Sequence, residues 1–424
     1  MHWCFETCWA RLAIVVGGRP RKLDVSAQWL RSARRAAAST FTAATALSLM
    51  LAGCATTAES ASEEAPAGLT GTSPNPSAIP KTNLTALATD LNSPADLAIT
   101  PDGTVLIATG NQILRYRADE PLTEVIHDLP ATGAPGIIDL ALAPDFPTDP
   151  KLYICYRTDT DIRVLPLTLS ADLTSAKLDS TLLTGLPLPL DPSDIGCQIG
   201  FDSDGLLYVG TSDGGDPNAP QSLTSAGGKI LRLDPETAAA PAGNPFADRS
   251  LDPITKLIYS FGHRSITGMA WHPVSHLLYA IDRGPGREDE INLIVAGGNY
   301  GWNPASRSST SYVTDGVPMT DLTIGSARPA ACSSGNSSQR MGSATFVAGL
   351  QWGQFDSDLA VSNLTGPRLL FMHVTGEVIG QPMTLDSVPP IGATAALGQH
   401  PNGSLLALTS EDGPDRLIEV RVVS

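Results

Sequence analysis

Short runs in which small or apolar residues alternate with polar ones recur along the chain. Each is followed by a turn rich in Pro, Asp, Asn and Gly and then by a second apolar run. Six copies stand out: PADLAITPDGTVLIATGNQILRYR from Pro94, IIDLALAPDFPTDPKLYICYR from Ile137, IGCQIGFDSDGLLYVGTSDGG from Ile195, ITGMAWHPVSHLLYAIDRG from Ile266, SATFVAGLQWGQFDSDLAVSN from Ser343, and ATAALGQHPNGSLLALTSEDG from Ala393. Period-two alternation bounded by turn residues is the mark of strand-turn-strand units. A unit of this kind cannot bury both faces by itself, so the copies must stack or close into a ring. Repeats of three or four strands, six times over, predict an all-β, six-bladed β-propeller over residues 82–424. Asn83 to Leu91 is suited to pair with the last repeat and seal the open edge.

Composition agrees with this reading. Hydrophobic residues make up 42% of the 424, and 39 Gly with 34 Pro supply the backbone angles of tight turns. In such a ring the innermost strand of each blade lines the central channel. Its entry positions here are Asp96, Asp139, Asp194 with Gln198, Arg264 with Ser265, Ser343 and Thr394. Three carboxylates and an arginine converging there would make a polar pocket, although Asp at a strand entry also caps turns. Ala238 to Asp252 and Ser306 to Arg340 are the longest irregular stretches and are candidates for loops at a binding mouth.

The first 53 residues read as a leader. Arg31, Arg34 and Arg35 precede an apolar, small-residue stretch from Ala36 to Leu51, and Leu51-Ala52-Gly53-Cys54 resembles a bacterial lipobox. Cys54 is the expected lipidation site, and residues 54–81, poor in large apolar groups, are expected to be a disordered tether. The expected location is the bacterial cell envelope, with the lipid as the membrane anchor. The leader carries seven of the 27 Lys/Arg and two of the 43 Asp/Glu, so the remainder has a net charge near −21. That sign argues against nucleic acid as a partner. Past Cys54, three cysteines remain, Cys155, Cys197 and Cys332, and the sequence does not choose which two pair. A Cys197–Cys332 bond across the pocket is conceivable.

Four stretches together carry a family resemblance: IIDLALAPDF from Ile137; GFDSDGLLYVGTSDGG leading to GGKILRLDPE; GNPFADR before Ile258; and FGHRSITGMAW followed by RGPGREDEINLIVAGGNYGW. From about Leu91 to Val423 the chain resembles the soluble, pyrroloquinoline quinone (PQQ)-dependent aldose dehydrogenases of the glucose/sorbosone dehydrogenase family, which are six-bladed propellers. The resemblance implies a base that takes a sugar's anomeric proton while hydride passes to PQQ, polarised by calcium and an arginine. It places Arg264, Asp289 and Gln221 at the cofactor, the carbonyls of Gly284 and Pro285 on calcium, and Asp213 in the loop of the third blade.

The chain departs from that pattern at the base and at the cations. Asp194 stands where the family has its catalytic histidine, and Gln198 stands where an arginine follows it. Ala393 and Ala395 replace an Arg-x-Arg pair, Thr365 a lysine and Ala134 a glutamine, leaving Arg368 as the cation nearby. Each lost charge-assisted hydrogen bond is worth about 1.5–3 kcal/mol. Two functions are therefore open: a propeller that binds a sugar or other small polar ligand with quinone chemistry weakened or lost, and an active PQQ- and calcium-dependent dehydrogenase in which Asp194 and Arg264 act on the substrate. A calcium-dependent lactonase is a third reading that no motif supports. His263 reads as a buried hydrogen-bond partner, and Tyr300 and Trp302 as packing for a blade corner.

Overall fold

The structure, a computed structural model, describes residues 79–127, 129–133, 136–190, 194, 196–249, 252–307, 314–365, 369–385, 394–409 and 414–423. Cys54 with its leader, residues 54–78 of the expected tether, and Ala134, Arg368 and Ala393 lie outside them; the expected tether ends earlier than 81, because Lys81 already begins a strand.

Six antiparallel sheets follow one another along the chain, each led by an inner strand: Pro94–Ile99, Ile137–Leu142, Cys197–Phe201, Ile266–Trp271, Met341–Phe346 and Thr394–Gln399. We call the sheets blades I to VI. Every inner strand packs against the next, and the sixth packs against the first, so the ring closes. The last blade takes its outer strand from the start of the ring, as the pattern predicts. Lys81–Leu91 pairs antiparallel with Asp415–Val423 in a register running from Lys81↔Val423 to Leu91↔Asp415. Closure of this kind removes the sheet edges that would otherwise seek partners. The core lies between the blades, where buried Leu, Ile, Val and Tyr of adjacent sheets interdigitate, as in the cluster that joins blades II and III through Tyr153, Val164, Ile199 and Leu231.

Inner strands are also tied together by side chains, and this corrects one expectation. Asp96 does not open into the channel. It is buried, and its Oδ2 accepts the Leu140 N–H of the neighbouring blade at 2.8 Å. Asp139 repeats the device one blade on, accepting from Ile199 N, and Ser343 Oγ accepts from Leu397 N at 3.1 Å. Asp96 and Asp139 each follow a register shift in their strand, and Ser343 lies within one, so that an extra residue turns the side chain toward the next blade. Asp96 and Asp139 also touch. Burial pushes Asp96 up to about 6, and burial together with the Asp96 charge raises Asp139 well above the usual carboxylate range. Two carboxyls in contact inside a protein share a proton, here with Asp139 donating to Asp96.

Cys155 pairs with Cys197, not Cys197 with Cys332, across a Cα separation of 6.3 Å. This bond links the second strand of blade II to the inner strand of blade III. Cross-linking residues 42 apart lowers the entropy of the unfolded chain by an amount worth about 4 kcal/mol in the loop-closure account.

The shared proton gives the ring a pH dependence. Raised carboxyl pKa values mean that the folded chain holds protons the unfolded chain releases. The contribution of the pair is therefore complete below the unfolded value of 3.8 and is lost as pH rises through about 6 and beyond. In D139N an amide replaces the protonated carboxyl and keeps its donor to Asp96. Thermal melts should show D139N at least as stable as the wild type at pH 7.5, with the wild type gaining on it toward pH 4.5. A difference in melting temperature that is flat across that range would contradict the shared proton.

Candidate functional site

Between blades III and IV the chain runs from Ile258–Phe261, the outer strand of one sheet, into Ile266–Trp271, the inner strand of the next. Residues 262–265 make that crossing, and they place Arg264 at the ring's interior. Asp282, at the end of the strand Leu278–Asp282, fixes the crossing by accepting Arg264 N at 3.1 Å and Ser265 N at 2.8 Å. Its other bond reaches His263 Nδ1 at 3.2 Å, and His263 Nε2 lies 2.9 Å from Ser260 Oγ. Ser, His and Asp in that order have the connectivity of a nucleophile relay. Ser260 and His263 are fully buried, however, and His263 stacks on Tyr300 with centroids 4.7 Å apart. The chain of bonds holds the crossing in shape and reaches no substrate. Glu290 lies next to Asp282, and burial with the Asp282 charge pushes it up to about 8, so it is neutral at physiological pH.

The Arg264 side chain is 7% exposed and faces Asp194. Nη2 meets Asp194 Oδ2 at 2.5 Å and Nη1 meets Oδ1 at 3.4 Å, a two-point contact between guanidinium and carboxylate. Ser265 Oγ donates to the Asp194 carbonyl at 2.9 Å, so backbone and side chain of Asp194 are both held. The disulfide at Cys197 anchors the strand that follows. Arg264 Nη1 also donates to the carbonyls of Arg283 at 3.0 Å and Gly284 at 3.2 Å. Asp194, Arg264 and Ser265 line a cleft with Asp213, Pro189 and Leu190. This is where two of the expected residues, Asp194 and Arg264, come together.

The other expected residues serve the loops around that cleft. Asp289 is fully buried; its carboxylate accepts Gly284 N at 3.0 Å, Ser338 Oγ at 2.9 Å, Gln339 N at 2.8 Å and Met341 N at 3.2 Å. It thereby ties the turn that contains Gly284 and Pro285 to the entry of blade V. That turn is tight: a Cβ at Gly284 would lie 1.8 Å from the Arg287 carbonyl oxygen. Gln221 exchanges two hydrogen bonds with Asn299, at 3.0 and 2.9 Å, and donates to Trp302 O at 2.9 Å. Trp302 Nε1 in turn donates to Asp213 Oδ2 at 2.7 Å. The Asn-Tyr-Gly-Trp corner is therefore the brace that positions Asp213, with Tyr300 and Trp302 buried as packing. Thr365 Oγ1 donates to Gln339 O at 3.0 Å. The irregular stretches 238–252 and 306–340 supply none of the cleft lining among the described residues.

Two buried cations beside the cleft escaped the sequence reading. Arg283 donates to Met341 O at 3.2 Å from a site close to Asp194, Asp289 and Arg264; burial pulls it below arginine's usual value while the two carboxylates oppose that shift. Its signal was its place, directly before Gly284-Pro285. Lys229 is fully buried and donates to the carbonyls of Ala219, Pro220 and Gly227 at 2.6, 3.1 and 2.6 Å, closing the loop that follows Asp213. Burial pulls Lys229 down to about 7, with Asp213 working against it. Nothing in the Gly-Gly-Lys sequence distinguishes that lysine from an exposed one.

Residues 91–418 match the family model described as Glucose / Sorbosone dehydrogenase. Aldose sugar dehydrogenase YliI of Escherichia coli (strain K12) is 27% identical over 309 residues, covering 70% of this chain and 82% of the relative. Quinoprotein glucose dehydrogenase B of Acinetobacter calcoaceticus is 31% identical over 255 residues, 51% of each chain. The PQQ-bound form of an aldose sugar dehydrogenase from Streptomyces coelicolor has a TM-score of 0.64 at 24% identity, over 82% of this chain and 100% of that one, a likeness of fold.

Removing a carboxylate that satisfies several buried donors leaves them without partners. Asp289→Ala should cost roughly 3–5 kcal/mol in urea unfolding, whereas a loss under about 1 kcal/mol would mean the 284–289 turn is held by other contacts.

Proposed function

Since the chain belongs to the glucose/sorbosone dehydrogenase family, we propose that it is a divergent member which binds a sugar or similar small polyol in the Asp194–Arg264 cleft, with quinone chemistry weakened or lost. The observation that carries this reading is the two-point contact between Arg264 and Asp194. A guanidinium recognises an anionic ligand through its paired N–H edge, and here a carboxylate of the chain holds that edge. The pair is neutral as a unit and offers polar atoms to hydroxyl groups.

The residues present do not fit calcium and PQQ together. The Gly284 carbonyl expected on calcium already accepts from a guanidinium, whose positive charge opposes a divalent ion. Both Asp289 oxygens are saturated by protein donors. An anionic quinone would have to displace Asp194 to reach Arg264.

An active dehydrogenase is the second reading. It is favoured by the named activities of the relatives and by Arg283, a second buried cation beside the cleft. The lipid anchor at Cys54 and a place in the cell envelope remain part of the proposal on sequence grounds.

Calorimetry separates the two readings. The wild-type protein should show no saturable heat with PQQ and calcium, reduce no dye when given aldoses, and keep its melting temperature when chelator is added. Saturable PQQ binding with dye reduction would overturn the binding reading. A melting temperature lowered by chelator and restored by calcium would show that an ion is bound.

A further inference from the structure

We infer that the cleft has an apolar subsite at Leu190 and takes a polyol carrying an apolar substituent, such as a glycoside with a hydrocarbon aglycone. This rests on the ligand-binding reading above.

The segment Pro187-Leu188-Pro189-Leu190 forms a lip of the cleft, and Pro189 and Leu190 line it together with Asp194, Arg264 and Ser265. Leu188 packs against the core that joins blades II and III, whereas Leu190, two residues on, is 71% exposed. An exposed leucine on a loose loop would mean little. Here the backbone is stiff, because Pro187 and Pro189 each fix their φ. The lip is also seated on a turn that only glycine permits. Gly214 and Gly215 have φ of 67° and 73°, in the left-handed region that other residues enter at a cost. A Cβ at Gly214 would lie 2.7 Å from Pro187 Cβ, and one at Gly215 would lie 2.2 Å from Leu190 Cδ1. The leucine thus lies flush on the Gly215 backbone, its outer surface in water and continuous with the polar lining.

A cleft that joins a fixed, exposed aliphatic surface to a neutral carboxylate–guanidinium pair is matched by an amphipathic ligand. Hydroxyl groups can bond to Asp194, Arg264 and Ser265 while a hydrocarbon covers Leu190. Covering a leucine side chain is worth on the order of a tenfold gain in affinity or more. Because the lip is already ordered, little of that gain is spent on immobilising it.

The test compares methyl and hexyl β-glucoside by calorimetry on the wild type and on L190S, with the leucine methyl resonances of the labelled protein followed by NMR during the hexyl titration. Leu190 packs on the surface of the lip, so L190S should fold. The expected result is a hexyl-to-methyl affinity ratio of about 10 or more in the wild type, a ratio near one in L190S, and a shifted Leu190 methyl signal. A wild-type ratio near one, a ratio that survives L190S, or an unmoved Leu190 signal overturns the subsite and leaves the polyol site standing. If neither glucoside produces heat or shifts any methyl signal, the ligand-binding reading falls, and the subsite with it.

Discussion

A guanidinium that is almost out of water has to be neutralised where it stands, and at the crossing between blades III and IV that requirement falls on Arg264. The crossing places the side chain inside the ring, Asp282 holds its backbone, and Asp194 supplies the opposite charge. Leaving a buried charge without a partner costs several kcal/mol. Loss of the pair would therefore be felt from the Cys197 strand to the Gly284 turn, whose carbonyl shares the same guanidinium. The functional reading follows from the same constraint. With its recognition edge taken by the chain's own carboxylate, Arg264 meets the cleft as half of a neutral pair.

The ring supplies what such a site needs, a frame that does not give. Closure by Lys81–Leu91 seals the outer edge of the last blade, while the carboxyl ties at Asp96 and Asp139 and the Cys155–Cys197 bond act on the inner strands that the cleft-lining loops enter. Asp289 and the Gln221–Asn299–Trp302 brace then fix the loops on either side. Few of these polar residues reach the cleft themselves. Their work is to hold Asp194, Arg264 and Asp213 in place at the cleft.

Much of the fold was legible in the sequence, because a blade is a local object. Alternation of apolar and polar residues, with Asp and Gly at the turns, reports each hairpin without reference to distant contacts. Even the closing strand near Asn83 could be read, since an open ring edge demands a partner. The site was less legible, because pointing direction is decided by neighbours that sequence does not name. Asp96 and Asp139 read as channel groups, yet one extra residue in each strand turns them toward the next blade. Asp289 and Gln221 were placed by resemblance near a cofactor, and in the structure their polar atoms are committed to loops. Arg283 and Lys229 were overlooked, because burial and not residue type makes them unusual. Leu190 sits in a stretch that reads as a Pro-rich connection until the Gly214-Gly215 turn beneath it is seen.

A paired, neutral Arg264 requires that Asp194 and Arg264 be energetically joined. A double-mutant cycle by urea unfolding, with D194A, R264A and the double variant, measures that directly. A coupling of at least about 1 kcal/mol is expected, because each single change strips the other group of its partner. Additive effects, with a coupling within about 0.3 kcal/mol of zero, would contradict it and return the edge of Arg264 to an external anion.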